Sequence, residues 1–203
     1  LGEELSLFRR IDQSTGYFLY LFDQPLKQLE GKGYLYPSVQ FVPVVSQWIK
    51  DFNNAWRVFL DSPDSWDSHC LELVSADHLF GMDRNWYESP DSWKCWNDFF
   101  SRRLSAPSAR PLASSTVIAP VDGVLQDIWT ISGNNCLSVP EGIRLKTASI
   151  LCIADLLADS PYRDCFAGGL FVHQMLDFYD YHRLHSPVDG TVLDVRTVNG
   201  ISG

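Results

Sequence analysis

The segment Ala119-Pro-Val-Asp-Gly-Val-Leu-Gln-Asp-Ile-Trp-Thr-Ile-Ser-Gly133 recurs as Ser186-Pro-Val-Asp-Gly-Thr-Val-Leu-Asp-Val-Arg-Thr-Val-Asn-Gly200, with seven of the fifteen positions identical. A chain that writes one unit twice is expected to fold that unit twice. In each copy Pro-Val-Asp-Gly should bend the chain ahead of a strand, because Asp-Gly tolerates the positive φ of a tight turn. The pattern predicts strands over Val124–Ile131 and Thr191–Val198, with another at Leu170–Gln174. Between them, Ile150, Leu151, Ala154 and Leu157 share one helical face, which predicts a short helix within Lys146–Ala158.

The first half has a different texture. Val45, Trp48, Ile49, Phe52, Trp56, Phe59 and Leu60 fall at helical spacing, and the run stops at Asp61-Ser-Pro63. Ser89-Pro90 reads as a cap and first-turn pair, after which Trp93, Trp96, Phe100 and Leu104 form a second stripe. Every tryptophan except Trp129 lies in this half. A tryptophan stripe at this spacing reads as core packing. Ser105-Ala-Pro-Ser-Ala-Arg-Pro111 has the composition of a boundary. The expected architecture is α+β: a helical N-terminal domain, residues 1–104, followed by a β-rich domain, residues 105–203, that carries the duplicated unit.

Composition narrows the function. The 203 residues carry a formal charge of −9 and are 45% hydrophobic, enough for a buried core. That charge argues against nucleic acid and anionic lipid headgroups as electrostatic partners. The weakly polar run from Ala148 to Ala158 is interrupted by Asp155 and is shorter than the roughly 20 residues of a membrane span. Cys70, Cys95, Cys136, Cys152 and Cys165 are odd in number and scattered, so no disulfide framework or zinc ribbon is expected, and a reducing, cytoplasmic setting is the simpler reading. The chain starts at Leu1 without an Arg- or Lys-flanked apolar signal, so upstream material is expected.

Phe99-Phe-Ser-Arg-Arg-Leu104, Arg110-Pro111, Ala119-Pro-Val-Asp-Gly123, Leu156-Leu157 and Asp180-Tyr-His-Arg-Leu-His-Ser-Pro187 occur in the order and approximate spacing of the phosphatidylserine decarboxylase family. Residues 92–200 resemble that family. The helical half, with its step at Phe59–Ser65, is similar to the extra domain of a soluble branch that includes the fungal tryptophan decarboxylase of psilocybin biosynthesis. The resemblance implies a self-cleaving proenzyme whose cofactor is a covalent pyruvoyl group made from a serine at a Gly-Ser bond. It also implies removal of CO2 from an amino-acid substrate. The expected activity is decarboxylation of a free aromatic L-amino acid such as tryptophan; the alternative is decarboxylation of phosphatidylserine to phosphatidylethanolamine.

The same resemblance implies roles for individual residues. His185 is the expected base that activates the cleavage serine, with Asp122 orienting it. His182 is the expected proton donor to Cα. Without the resemblance, Asp122 reads as a plain Asp-Gly turn, as does Asp189. Tyr181, placed on a strand opposite His182, is core or pocket wall, and His173 on the preceding strand is a second candidate substrate contact. Neither His69 nor His78 has a constellation around it. The chain ends at Ile201-Ser-Gly203, sooner after His185 than the family's cleavage site falls, and Ser202 precedes a glycine instead of following one. The expected partner is therefore the C-terminal, pyruvoyl-bearing chain of the same precursor, and homo-oligomerisation is left open.

Two other classes compete. His182 and His185 at i, i+3, with Asp180 or Asp189, could be read as a metal-dependent hydrolase site. Ligands on one face of a strand sit at i, i+2, however, and no third histidine is near, so no metal is expected. A non-catalytic β-rich carrier module needs an exposed hairpin lysine where this chain has Asp-Gly. No phosphate-binding glycine loop or His-Glu-x-x-His motif is present.

Overall fold

The computed structural model describes residues 7–29, 38–139, 143–145 and 148–196. The chain is α+β. In order it forms α1 (Leu7–Phe22), α2 (Pro43–Leu60), α3 (Ser68–Ala76), α4 (Trp96–Phe100), β1 (Val124–Thr130), β2 (Ile143–Leu145), β3 (Ala148–Ile150), α5 (Ile153–Leu157) and β4 (Leu170–Met175), with short 3-10 turns between the helices. β1 pairs with β4, and β2 pairs antiparallel with β3 in the register Arg144 to Ser149. The chain divides into two units. One holds residues up to Thr15, Lys50–Val124 and Met175–Thr191; the other holds Gly16–Ile49, Leu125–Gln174 and the residues from Val192 onward.

The first unit is organised by aromatic side chains. Trp66, Val74, Phe80, Trp93 and Phe99 are buried together, with Cys70, Leu71, Met82, Tyr87, Trp96 and Tyr179 packed around them. Phe99 is fully enclosed. It stacks on Trp66 at 4.6 Å and meets Trp93 and Trp96 edge-on at 5.4 Å, the offset and T-shaped arrangements that ring quadrupoles favour. Local capping fixes the entries to these helices. The Asp67 carboxylate accepts from the Cys70 N–H at 2.8 Å at the start of α3. The Ser65 hydroxyl accepts from the Trp96 N–H at 2.8 Å, tying the start of α4 to the turn before α3.

The second unit has a smaller core of Ile131, Leu137 and Ile153, joined by Trp129, Leu156, Leu157 and Phe171. Asn135, in the left-handed region at φ 63°, organises its loops. Its side-chain oxygen accepts from the Phe166 N–H at 3.1 Å, its amide nitrogen donates to the Arg163 carbonyl, and its own carbonyl accepts from the Ile153 N–H. Asn adopts this conformation more readily than other side-chain-bearing residues.

Several expectations are corrected. The Trp93 to Leu104 stripe is not one helix: Ser89-Pro90 starts a 3-10 turn, Pro90–Ser92, and α4 spans Trp96–Phe100 only. The tryptophan stripe is core for Trp66, Trp93 and Trp96, but on α2 Trp48 and Trp56 are about half exposed, at 49% and 51%. Helical spacing reports a face and not what covers it. The segment read as a helix over Lys146–Ala158 enters as β3 and becomes helical only at Ile153; Lys146 itself lies outside the described residues.

The first copy of the repeat forms a strand and the second does not: residues 191–196 are irregular and exposed, and Val198 lies outside the described residues. A strand requires a neighbour for its backbone groups, and residues 191–196 are paired with no other strand among the described residues. Cys136 and Cys152 are joined in a disulfide, against the expectation from spacing. Partners brought together by folding leave no local spacing signal. This pairing also removes the sequence argument for a reducing compartment. Among the described residues no helix is long and apolar enough to cross a membrane.

Candidate active site

The turn before β1 sits where backbone approaches backbone. A Cβ added at Gly123 would lie 2.7 Å from the Met175 carbonyl oxygen, so only glycine fits. Just before it, the Asp122 carboxylate forms an ion pair with Arg110. The Arg110 guanidinium lies over the Trp86 ring at 4.7 Å, which holds its planar fork in place. The starts of the two copies of the repeat are joined by main-chain bonds: His185 N–H to Pro120 O and Ile118 N–H to Pro187 O, both 2.9 Å.

This pairing builds a cavity of about 140 Å³ lined by Asp122, Arg110, Tyr181 and His185 on its polar side and by Leu104 and Ile118 among its apolar residues. Tyr181 is buried, and its ring stacks between Tyr87 at 6.4 Å and His185 at 5.6 Å. Desolvation raises the Tyr181 phenol above its usual range. The His185 ring is exposed on its other side. Among the described residues no hydrogen bond joins the Asp122 carboxylate to the His185 ring; the carboxylate is engaged by Arg110.

His182 faces a different environment. Its ring stacks on Phe100 at 3.9 Å, and Nε2 lies 2.9 Å from the Asp177 carbonyl oxygen. A carbonyl only accepts, so Nε2 carries the proton. Burial pulls the imidazole below its ordinary value near 6.5, partly opposed by that hydrogen bond. Around it the Asp177 N–H donates to the Asp180 carboxylate at 2.8 Å, and the Tyr179 hydroxyl donates to the Asp177 carboxylate at 2.8 Å. That bond to Asp177, with burial, pushes the Tyr179 phenol up to about 12. Burial also raises the Asp180 carboxyl.

The structure thus gathers Asp122, Tyr181 and His185 around one cavity and gives His182 its own setting a few residues away. Tyr181 and His182 are not on a strand, as the sequence reading had them; residues 181–186 are irregular. Main-chain oxygens here accept from arginine side chains in place of a neighbouring strand, Arg102 holding those of Tyr179 and Asp180. His173 belongs to the other unit, on β4, where its ring stacks on Trp129 at 6.4 Å. Among the described residues no group of three or more His, Cys, Asp or Glu could hold a metal ion. Sequence reasoning missed Arg102 and Arg110 as site residues, although both stand within the motifs that carried the resemblance.

An acid, an ion-paired arginine and an imidazole around one small cavity can together accept and pass on a proton. The phosphatidylserine decarboxylase profile matches residues 96–202, more than half of the chain, and the chain belongs to that family. It is 35% identical over 114 residues to the phosphatidylserine decarboxylase proenzyme of Legionella pneumophila (strain Corby), covering 56% of this chain and 38% of that protein. It is 34% identical over 123 residues to the proenzyme of Acidovorax ebreus, covering 60% and 41%. The proenzyme of Nitrosospira multiformis is 30% identical over 138 residues, covering 61% and 45%. The chain spans about two fifths of the length of these relatives.

Proposed function

We propose that this chain supplies the acid-base part of a pyruvoyl-dependent decarboxylase acting on an α-amino carboxylate, and that it works joined to a segment carrying the cleavage serine. The observation that carries this reading is the shared cavity of Asp122, Tyr181 and His185, on a chain whose relatives are named proenzymes. A cavity of about 140 Å³ suits a group of a few heavy atoms, and its lining of Asp122, Tyr181 and His185 could hold a pyruvoyl group. Once formed, that group supplies a carbonyl able to accept the electrons left when CO2 departs. Ser202, the one serine near the end of the chain, lies outside the described residues.

The roles follow from the surroundings of each residue. His185, open on the side away from Tyr181, takes the proton of the cleavage serine, and Asp122 stabilises the resulting imidazolium. Arg110 holds the Asp122 carboxylate in place through their ion pair. His182, with its Nε2–H committed to Asp177, offers Nδ1 as the position that takes up a proton and returns it to Cα. Tyr181 closes the cavity wall, and Leu104 and Ile118 exclude water. His173, set against Trp129 in the other unit, is kept as a separate candidate substrate contact.

For substrate, a free aromatic amino acid is the first reading, supported by the formal charge of −9, which disfavours anionic membrane surfaces. Phosphatidylserine is the second, favoured by the names of the relatives and by the half-exposed Trp48 and Trp56 of α2. The test is CO2 release by the full precursor from tryptophan, other aromatic amino acids and phosphatidylserine vesicles under identical conditions. Turnover of amino acids supports the first reading. Turnover of the lipid with none of the amino acids overturns it in favour of the second, and turnover of neither overturns both.

A further inference from the structure

We infer that Arg102 is the positioning residue of the histidine-bearing segment, holding His182 and His185 in place through the main-chain oxygens of Tyr179 and Asp180. The inference rests on the reading that those histidines carry the chemistry. Arg102 is fully buried. Its Nη2 donates to the Tyr179 carbonyl at 2.7 Å and to the Asp180 carbonyl at 2.8 Å, and Nη1 reaches the Phe99 carbonyl at 3.4 Å. The guanidinium lies over the rings of Tyr87 at 4.5 Å and Phe99 at 4.9 Å.

Buried arginines ordinarily face a carboxylate, because desolvating the charge is costly without one. Here the direct hydrogen-bond acceptors are main-chain carbonyls and the stacking partners are aromatic faces. An apolar side chain of similar volume would fill the space without that cost. What the guanidinium adds is direction: the two N–H groups of its planar Nη2 fix two successive carbonyls of one segment while Nη1 reaches the Phe99 carbonyl. That segment has no helix or strand bonds of its own over residues 181–186.

A second tie runs the other way. Arg183 Nε donates to the Ser101 carbonyl at 2.7 Å and contacts that of Arg102 at 3.3 Å. His182 lies between the two ties, its ring on Phe100, the residue that follows Phe99 in α4. The same segment continues to His185 and its bond to Pro120. Loosening Arg102 therefore displaces both imidazoles without touching either.

The test compares Arg102→Lys with the parent precursor, using Arg103→Met, one position along and exposed, as the control. Lysine keeps the charge but not the planar guanidinium whose fixed N–H directions reach Tyr179, Asp180 and Phe99 together. A folded Arg102→Lys protein is expected to cleave itself, and to turn over, on the order of 10- to 100-fold more slowly, with KM changed far less than kcat. Its His182 ring, followed by 15N NMR, should lose the single Nε2–H tautomer, while Arg103→Met retains parental rates and tautomer. A folded Arg102→Lys protein with parental cleavage, kcat and tautomer overturns the inference.

If the lysine variant does not fold, the unaltered chain decides. Slowly exchanging Arg102 Nη protons coupled to the Tyr179 and Asp180 carbonyl carbons support the inference, and a freely exchanging guanidinium overturns it. Normal cleavage by His185→Ala would defeat the functional reading instead. The tautomer and Nη measurements need no turnover, so the two failures are separable.

Discussion

The main-chain N–H of His185 donates to the carbonyl oxygen of Pro120 at 2.9 Å, and a second bond from Ile118 to Pro187 closes the pair. Two residues past Pro120 the chain reaches Asp122, so backbone bonding, not side-chain attraction, brings acid and imidazole to one cavity. Either side chain can then be altered with its partner left in place. Single substitutions at these positions report on chemistry more than on folding.

His185→Ala in the full precursor is expected to leave uncleaved protein on a denaturing gel. Asp122→Asn should slow cleavage by about 10²- to 10⁴-fold, the usual span for a lost acid-base group. Normal processing of His185→Ala removes that residue from the role.

The pH dependence of stability has a definite sign at His182. Its folded value is depressed by burial below the ordinary 6.5, so its contribution is present above about 6.5 and is lost as pH falls through the lower folded value. Asp180 acts oppositely: its raised folded value makes its contribution fully present below the ordinary 3.8 and lost as pH rises through the folded value. Urea midpoints measured between pH 5 and about 8 should fall toward the acid end. In His182→Gln that part of the slope should flatten, and an unchanged slope would count against a buried neutral imidazole.

Phe99→Ala should destabilise the protein by about 3–5 kcal/mol, the usual cost of emptying an aromatic core site. The ring is fully enclosed by Trp66, Trp93 and Trp96. Denaturant unfolding measures it, and a loss under about 1 kcal/mol would show that the surrounding indoles collapse into the space.

Gly123→Ala and Gly190→Ala make a matched pair from the two copies of the repeat. The first places a methyl 2.7 Å from the Met175 carbonyl oxygen, whereas nothing lies within 4 Å at the second. The first should cost about 1–3 kcal/mol and the second stay within about 0.5 kcal/mol. Equal melting temperatures for the two variants would contradict the close approach at Gly123.

The strands at β1 and β4 were legible because alternation and turn residues are local signals, and ordered motifs singled out Asp122 and His185, which the structure sets around one cavity. Arg102 was not, since a basic residue in sequence reads as solvated and only tertiary carbonyls explain its burial. Arg110 was hidden for a related reason, its partner lying twelve positions along the chain. The repeat misled at residues 191–196 because identical residues specify a strand only where a neighbouring strand meets them. The tryptophans of α2 misled because spacing fixes a face but not its cover.

The unequal surroundings of Gly123 and Gly190 also offer a place to work on the molecule. A cysteine at Gly190 would present a thiol in open space, a few residues from His185, while its counterpart turn at Asp122 keeps its native packing. A fluorophore attached there would report on the neighbourhood of the histidines as a precursor matures. The second copy, idle as a strand in the described residues, becomes the handle by which the first can be watched.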